Sequence, residues 1–362
     1  MAGIRIEGLH QAYGSVIALR DIRLEVADGE FLSLLGPSGS GKTTLLRILA
    51  GFEPPVSGRI FFDEKEVTFF PPEKRQAGMV FQNYALFPHL SVGENIAYGL
   101  RAAGASRQTI TDRIREMLEL VDLPGFAERD VHTLSGGQQQ RIALARALAH
   151  HPKVLLMDEP LSNLDARLRV QTRVQIRDLQ QRLGMTTVYV THDQGEAFSL
   201  SDRVAVLLKG AIRQVDTPLS IYRHPADLEV AEFLGEMNRC LAAIQPSTGG
   251  FMCISLDGAG ITASLPMDQC TGNLDGNRVL VGIRPESFGP PGHFNLNGKG
   301  ILEEANFEGE RWRLMVRIGS QVLLQHWPSA WIDRMPARGE PFGFSMNSAT
   351  WNLFPATENQ PL

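Results

Sequence analysis

Cysteine is scarce in this sequence. Its 362 residues include only three cysteines, which are widely spaced and form no CxxC pair: Cys240, Cys253 and Cys270. A disulfide framework or a structural zinc site needs more thiols at closer spacing. The sequence therefore argues against both and favours a reducing, cytosolic compartment.

Long apolar runs are also missing. A helix that spans a bilayer needs about 18 or more mainly apolar residues in succession, and the sequence has no such run. The first residues, MAGIRIEGLH, contain no apolar core of signal-peptide length. We therefore expect any role at a membrane to be exerted from its surface, through a partner.

Excess positive charge is the third absence. The formal net charge is −5, from 35 basic and 40 acidic side chains. Nucleic-acid binders normally carry a strongly basic domain or stripe, so we expect no nucleic-acid partner, although a neutral total can hide a local patch. Hydrophobic residues make up 43% of the chain, enough for a sizeable core, and the length predicts two domains.

Strands and helices alternate up to about residue 235. Ile4–Glu7 and Ile22–Val26 alternate apolar and polar residues, which is typical of half-buried strands. Val154–Met157 is apolar throughout, as expected of a strand buried on both faces. Helices are predicted over 106–122, from Ser135 to His151, and over 166–183.

The character of the sequence changes near Gly235. Beyond Asn238, glycine and proline become frequent and the apolar period shifts towards two. Short strands are predicted at 279–283, 312–318 and 321–324, which indicates a small β-barrel or sandwich. We therefore predict an α/β domain over residues 1–236 and an all-β domain over residues 237–362.

A glycine-rich loop between a predicted strand, Phe31–Leu35, and a predicted helix carries the clearest chemistry. It fits the pattern GxxxxGK[ST] with Gly36, Pro37, Ser38, Gly39, Ser40, Gly41, Lys42 and Thr43, followed by Thr44 in the helix. The glycines let backbone N–H groups converge on phosphate oxygens. Lys42 would reach the β- and γ-phosphates, and the Thr43 hydroxyl would bind Mg²⁺. The alternative is a chance glycine-rich turn, which would require neither the strand nor the helix.

Two acids end the apolar strand Val154–Met157. Asp158 would hold Mg²⁺ through water, and Glu159 would polarise the attacking water as general base. Taken alone, the pair is better interpreted as two solvated acids, because strands often end in polar residues. Downstream of a phosphate-binding loop, the pair becomes the second half of a Mg²⁺–nucleotide site.

A second glycine pair opens the helix that leads into this strand, in the segment Leu134-Ser135-Gly136-Gly137-Gln138. Ser135 can cap the helix, and the glycines leave backbone N–H groups bare at its positive end. An ordinary capped helix explains this locally. The chain already has one phosphate-binding loop, however, so a second helix end that binds anions would serve a different purpose.

These motifs, in this order, resemble those of the nucleotide-binding subunits of ABC transporters, and the resemblance covers essentially the whole chain. It implies an α/β P-loop ABC ATPase domain with a RecA-like core, an antiparallel β subdomain and a helical subdomain. It implies ATP and Mg²⁺ as cofactors. It also implies a homodimer in which one chain contacts the γ-phosphate held by the P-loop of the other, through Ser135, Gly136, Gly137 and Gln138.

The resemblance assigns roles to further residues. Tyr13 resembles the aromatic residue that stacks on adenine, and Val16 the residue beside the ribose. Gln82 is similar to the glutamine that senses Mg²⁺ and water, Asp165 lies in a loop that crosses the dimer interface, and His192 matches the switch histidine at the γ-phosphate. Alone, these residues would be a surface aromatic, an unremarkable glutamine, a helix N-cap and a structural histidine. The resemblance implies catalytic roles for Glu159, His192, Gln82 and Lys42, and metal binding by Thr43, Gln82 and Asp158.

The β-rich tail resembles the OB-like (TOBE) domain of importer ATPases, through Gly282-Ile283-Arg284-Pro285-Glu286 and the junction Glu232–Asn238. Such importers take up polyamines, ferric iron, sulfate, phosphonates or sugars through two transmembrane permease subunits and an extracytoplasmic solute-binding protein. The junction lacks the Ser-Pro insertion associated with sugar importers, which favours polyamine, iron or sulfate, with polyamine first. The resemblance implies a peripheral protein at the cytoplasmic face of the inner membrane. For Arg284 and Glu286, we expect a structural ion pair at a loop.

Two other functions are open at this point. A soluble ABC ATPase in translation or DNA repair usually has two motor domains or a long coiled-coil insertion, whereas this chain has one motor and no sustained heptads. A nucleotide-binding scaffold would not need Lys42, Asp158, Glu159 and His192 together. We expect instead an ATP-driven clamp that moves membrane subunits through the surface from Gln82 to Ser91.

Overall fold

The computed structural model describes residues 2–246, 251–266 and 277–356. Cys240 and Cys253 are free thiols, whereas Cys270 lies outside the described residues. The chain divides into two compact units, Met1–Leu219 and Ser220–Leu362. Within the described ranges, no helix is both long and apolar enough to cross a bilayer.

The first unit alternates strands and helices. Its strands are β1 (Ile4–Tyr13), β2 (Val16–Val26), β3 (Phe31–Leu35), β4 (Ser57–Phe62), β5 (Lys65–Glu66), β6 (Ala77–Val80), β7 (Val154–Asp158), β8 (Thr186–Thr191), β9 (Arg203–Leu208) and β10 (Ala211–Asp216). Its helices are α1 (Lys42–Ala50), α2 (Val92–Ala102), α3 (Arg107–Leu120), α4 (Gly136–Leu148), α5 (Ala166–Leu183) and α6 (Gln194–Leu200). The helices predicted from the apolar spacing are α3, α4 and α5.

These strands form two sheets. The first is antiparallel, in the order β2-β1-β4-β5. The second has the order β10-β9-β3-β8-β7-β6 and is parallel except for the β9–β10 pair. Because β3, β8 and β7 are parallel neighbours, the loops that follow their carboxyl ends meet at one edge of the sheet, where α/β proteins bind ligands.

Side chains of the central strands alternate between two hydrophobic cores. One core includes residues of α2 to α5 and takes Phe31, Leu155, Met157 and Tyr189 from the strands. The other includes α1 and the antiparallel sheet and takes Leu32, Leu34, Leu156, Val188 and Val190. Both faces of these strands are therefore buried, which explains why their sequences are apolar without alternation.

The end of α1 is fixed by Arg75. Its guanidinium donates to the carbonyls of Ile48 (2.5 Å) and Leu49 (2.9 Å) and to those of Thr68 (2.7 Å) and Phe70 (2.8 Å). Carbonyls in the last turn of a helix have no partner within it, and they carry the negative end of its dipole. Burial lowers the pKa of Arg75 to about 10, so the side chain stays charged at neutral pH.

The second unit is rich in strands. Helix α7 (Pro218–Arg223) spans the division and α8 (Leu228–Phe233) follows it. The strands are β11 (Asn238–Pro246), β12 (Phe251–Leu256), β13 (Ile261–Pro266), β14 (Arg278–Ile283), β15 (Phe288–Gly289), β16 (Leu296–Phe307), β17 (Arg311–Ile318), β18 (Gln321–Pro328), β19 (Pro341–Met346) and β20 (Asn352–Pro355). They form two antiparallel sheets, β13-β12-β11-β14-β20 and β15-β19-β16-β17-β18, around one core. The predicted all-β, OB-like domain is confirmed.

The division by contacts lies upstream of the boundary 236/237 that the sequence predicts, because the two short helices bond to the β-rich unit. The guanidinium of Arg284 lies 4.6 Å from the centroid of the Tyr222 ring, and the Tyr222 hydroxyl donates to Glu286. Ala231 of α8 packs against β14 and β20. Arg284 and Glu286, expected as an ion pair, therefore both contact Tyr222.

Candidate nucleotide site

The loop of residues 36–41 leads directly into the N-terminus of α1. Gly41 precedes the helix with φ 104°, and no side chain caps the first turn. A Cβ on Gly36 would lie 2.2 Å from the carbonyl oxygen of Leu207, so only glycine fits there. The first-turn N–H groups therefore have no side-chain cap, and their binding of an anionic ligand stays a prediction.

Lys42 and Thr43, the first two residues of α1, lie beside the end of β7. Lys42 Nζ donates to the carbonyls of Gly36 (2.8 Å) and Pro37 (3.0 Å). Burial lowers the pKa of Lys42, while the charges of Glu159 and Asp158 oppose that change. Thr43 Oγ1 donates to Asp158 Oδ1 at 3.2 Å. Burial raises the pKa of Asp158, against the effect of this hydrogen bond.

Glu159 follows β7, and its carboxylate contacts two side chains. Gln82 Nε2 donates to Glu159 Oε2 at 3.2 Å, and His192 Nδ1 lies 3.1 Å from Glu159 Oε1. The backbone of Glu159 has φ 42°, a left-handed conformation that is uncommon for a residue with a Cβ. Its N–H donates to the carbonyl of Val190 at 3.0 Å, which fixes this conformation. Three predicted catalytic residues from distant segments thus meet at one carboxylate.

Two further residues, which the sequence did not single out for roles of their own, support this arrangement. Asn163 Nδ2 donates to the carbonyl of Gln82 at 3.0 Å. Ser162 Oγ donates to the carbonyl of Glu159 at 3.0 Å. Their position between Glu159 and the N-cap Asp165 was visible in the sequence, but their partners depend on the fold.

Tyr13 and Val16 lie opposite each other at the tip of the β1–β2 hairpin. Both are exposed, Tyr13 by 48% and Val16 by 65%. The Tyr13 hydroxyl donates to Glu53, and burial and Glu53 raise its pKa, whereas a hydrogen bond with Thr44 lowers it. The structure thus brings an exposed aromatic ring next to α1, and its stacking on adenine stays a prediction.

The segment 134–138 starts α4 with a complete capping box. Ser135 Oγ accepts the N–H of Gln138 at 3.4 Å, and Gln138 Oε1 accepts the N–H of Ser135 at 2.9 Å. A Cβ on Gly137 would lie 3.0 Å from Leu168 in α5. The predicted cap is confirmed. Within the described part of the chain, no hydrogen bond joins this segment to the loop 36–43.

Asp165 is the N-cap of α5, as predicted, because its Oδ1 accepts the N–H of Leu168 at 2.9 Å. The Gly136 and Gly137 pair packs near this same region, since a Cβ on Gly136 would lie 3.2 Å from Leu164. The contribution of these residues to a second nucleotide stays a prediction.

Comparison with known proteins places this site in a family. The family model for ABC transporters matches residues 19–162. The Fe(3+) ions import ATP-binding protein FbpC of Photorhabdus laumondii is 44% identical over 323 residues, which are 89% of each chain. The spermidine/putrescine import ATP-binding protein PotA of Legionella pneumophila is 49% identical over 286 residues, 79% of this chain and 77% of its own. The chain belongs to the ABC transporter family.

Solved structures agree with this assignment. An ATP-binding cassette in a dimeric, post-hydrolysis state with ADP and phosphate matches with a TM-score of 0.54 and 31% identity, over 59% of this chain and 98% of its own. The cbiO1 protein of an ABC transporter complex from Clostridium perfringens matches with a TM-score of 0.57 and 29% identity, over 60% of this chain and 90% of its own. The predicted ABC ATPase fold is confirmed, and this ABC protein is an ATP-binding ATPase.

Proposed function

We propose that this ABC ATPase is the energy-coupling subunit of an importer for a small solute. The observation that carries the proposal is the Glu159 carboxylate, held by Gln82 and His192 next to the loop that binds phosphate. Relatives named for Fe(3+) import and for spermidine/putrescine import support the importer role. They give no support to a soluble ATPase of translation or DNA repair. A polyamine is our first candidate for the solute and ferric iron the second.

The chemistry proposed for Glu159 is the removal of a proton from the water that attacks the γ-phosphate. Its side chain is 18% exposed, so water can reach it, while Gln82 and His192 each contact one of its oxygens. Lys42 would exchange the carbonyls of the loop for the β- and γ-phosphate oxygens. His192, with one ring nitrogen at Glu159, has the other for the γ-phosphate.

The oxygen atoms at the end of β7 fit Mg²⁺. Thr43 Oγ1 and Asp158 Oδ1 are 3.2 Å apart, and Mg²⁺ is typically held by one or two carboxylates and hydroxyls together with substrate phosphates. We propose Thr43, Asp158 and the carboxamide oxygen of Gln82 as its protein ligands, with Asp158 acting through water. When bound, the ion neutralises charge on the phosphates.

A second copy of the chain would complete the site. The cap at Ser135 takes up the N–H of Gln138, and we propose that the N–H groups of Gly136 and Gly137 bind an anion other than the one at α1. A related cassette is dimeric in its complex with ADP and phosphate. We therefore propose that Ser135, Gly136 and Gly137 of one chain contact the nucleotide bound at Lys42 of the other.

A mostly apolar groove of about 810 Å³ is the surface where we propose that the permease subunits dock. Its lining includes Phe81, Phe87 and Tyr98, and the rings of Phe87 and Tyr98 are 4.4 Å apart. Phe81 precedes Gln82, which holds Glu159, so a partner seated in the groove would lie one residue from the catalytic cluster. Two permease subunits, one on each chain of the dimer, would hold the ATPase at the cytoplasmic face of the inner membrane. An extracytoplasmic binding protein would deliver the solute.

The test measures uptake of labelled spermidine and of ferric iron in a strain of the source organism that lacks this chain. We expect one uptake activity to fall to background and to return with the wild-type chain but not with Lys42→Ala. Tyr98→Asp should hydrolyse ATP yet fail to restore uptake, whereas Val174→Asp, a control at an exposed position of α5, should restore it. If neither uptake activity changes, both solute candidates are wrong. Full uptake with Tyr98→Asp would contradict the docking groove.

A further inference from the structure

A buried carboxylate lies close to His192, on a residue that the proposed chemistry does not use. Glu196 in α6 is only 4% exposed and accepts hydrogen bonds from the Tyr189 hydroxyl (2.8 Å) and from Thr191 Oγ1 (2.7 Å). Thr191 Oγ1 accepts the N–H of Asp193 at 3.0 Å, and Asp193 Oδ1 accepts the N–H of Glu196 at 2.9 Å. Both neighbours of His192 in the chain are therefore fixed by Glu196.

Arg169 connects this cluster to the loop 162–165. It lies in the first turn of α5, and its Nη2 donates to the carbonyl of Leu164 at 3.1 Å. Its Nη1 lies 3.7 Å from Asp193 Oδ2 and its Nε lies 3.8 Å from Glu196 Oε1. The contact with Leu164 is a hydrogen bond, whereas those with Asp193 and Glu196 are ion-pair contacts at longer distances, so one guanidinium lies within reach of three groups.

The cluster and the catalytic residues share one small cavity. It has a volume of about 60 Å³, and its lining includes Glu159, His192, Arg169 and Glu196. The loop 162–165 is therefore connected to Gln82 and to His192 through separate contacts. One route is the hydrogen bond from Asn163 to the carbonyl of Gln82, and the other runs through Arg169 to the neighbours of His192.

We propose that Arg169 and Glu196 are positioning residues that hold His192 at Glu159. Because Arg169 also bonds to the loop 162–165, the position of this loop determines whether His192 contacts Glu159. The inference rests on the catalytic role proposed above for His192. Neither residue forms a hydrogen bond with the loop 36–43 in the described structure, so their effect is on hydrolysis and not on ATP binding.

The test is a double-mutant cycle in the full-length chain, with phosphate release measured over a range of Mg²⁺-ATP concentrations. Arg169→Gln should lower kcat about 10- to 100-fold and leave KM for ATP within about twofold of wild type. His192→Gln, which retains a hydrogen-bonding side chain and hence residual hydrolysis, should also lower kcat. Adding Arg169→Gln to His192→Gln should cause no further loss, because Arg169 acts only through His192. Arg182→Gln, exposed in the last turn of the same helix, is the matched control and should keep wild-type kcat.

Either of two results would overturn this inference and leave the proposed function intact. They are an unchanged kcat for Arg169→Gln and losses of kcat that add in the double variant. Wild-type kcat in His192→Gln would instead remove the proposed role of His192, and this inference with it. If Arg169→Gln does not fold, as judged by its thermal unfolding, Asp193→Asn takes its place in the cycle. That change keeps an oxygen to cap Glu196 but removes the charge that faces Arg169. Its loss of kcat should likewise vanish in the His192→Gln background.

Discussion

At the scale of single residues, Glu159 and its two donors define what the site can do. Gln82 and His192 each occupy one carboxylate oxygen, so the orientation of the carboxylate is set before any substrate arrives. Such fixed orientation is the condition for efficient general-base catalysis, because the proton acceptor must lie within hydrogen-bond reach of the attacking water. The identity of the side chain at position 159 should therefore affect hydrolysis far more than binding.

Glu159→Gln tests this point. Gln has the same shape and keeps an oxygen for one of the two neighbouring side chains, but it cannot accept a proton from water. We expect hydrolysis to fall by a factor of about 10² to 10⁴, with ATP affinity unchanged. Phosphate release and binding of a fluorescent ATP analogue measure the two quantities, and size-exclusion chromatography with ATP should reveal a trapped dimer. Normal turnover in this variant would show that Glu159 is not the base.

The sequence predicted which residues carry the chemistry but not the bonds that organise them. Gln82 and Glu159 are 77 positions apart, so their contact depends on the pairing of β6 with β7. The same holds for Asn163, whose partner lies on another loop. The side chain of Gln138 is different, because the pattern S-x-x-Q already predicts a capping box, and that signal was available in the sequence.

At the scale of elements, the strands and helices of the first unit were predicted well because the spacing of their apolar residues indicates which of their faces are buried. Strand β7 is buried on both faces and α3 on one, and each has the matching period. The way α1 is held at its end was not predictable. Arg75 is distant from α1 in sequence and lies in a short polar segment, where a surface side chain is the ordinary expectation.

We predict that Arg75→Lys destabilises the first unit. Lysine cannot reproduce the fork that binds four carbonyls, so some of these buried acceptors lose their partners. The expected loss in free energy of unfolding is about 3 kcal/mol. Urea denaturation followed by circular dichroism at the helix band measures it. The neighbouring exposed position provides the control, and Lys74→Gln should change the free energy by less than about 0.5 kcal/mol. Equal effects of the two substitutions would contradict the role of Arg75 at the end of α1.

At the scale of the whole molecule, the sequence predicts two helix starts suited to phosphate, at α1 and at α4, and no hydrogen bond joins them among the described residues. The proposal that two copies share each nucleotide predicts a covalent link between chains. Ser38 and Ser135 are both exposed and can be replaced by cysteine in a chain whose three native cysteines are removed. Oxidation with ATP, in the Glu159→Gln background, should give a product of twice the mass of one chain on a non-reducing gel.

The matched control for this experiment pairs Ser38→Cys with Arg182→Cys, a position in the last turn of α5. It should remain a single chain, because a disulfide forms only where the two Cα atoms come within about 7 Å. A monomeric product from the Ser38→Cys, Ser135→Cys chain under the same conditions would contradict the shared site. The domain boundary belongs to this scale too. The boundary predicted at 236/237 stays a prediction, and contacts such as that of Tyr222 with Arg284 show why α8 and most of α7 group with the β-rich unit.

The left-handed backbone at Glu159 has a consequence for how this chain can evolve. A residue with a Cβ in that conformation is less stable than glycine by about 1 kcal/mol, so Glu159→Gly would relieve strain at the cost of the base. Thermal stability therefore favours glycine at this position, whereas ATP hydrolysis favours glutamate. In a laboratory evolution that rewards only survival at high temperature, we expect glycine to be favoured at position 159.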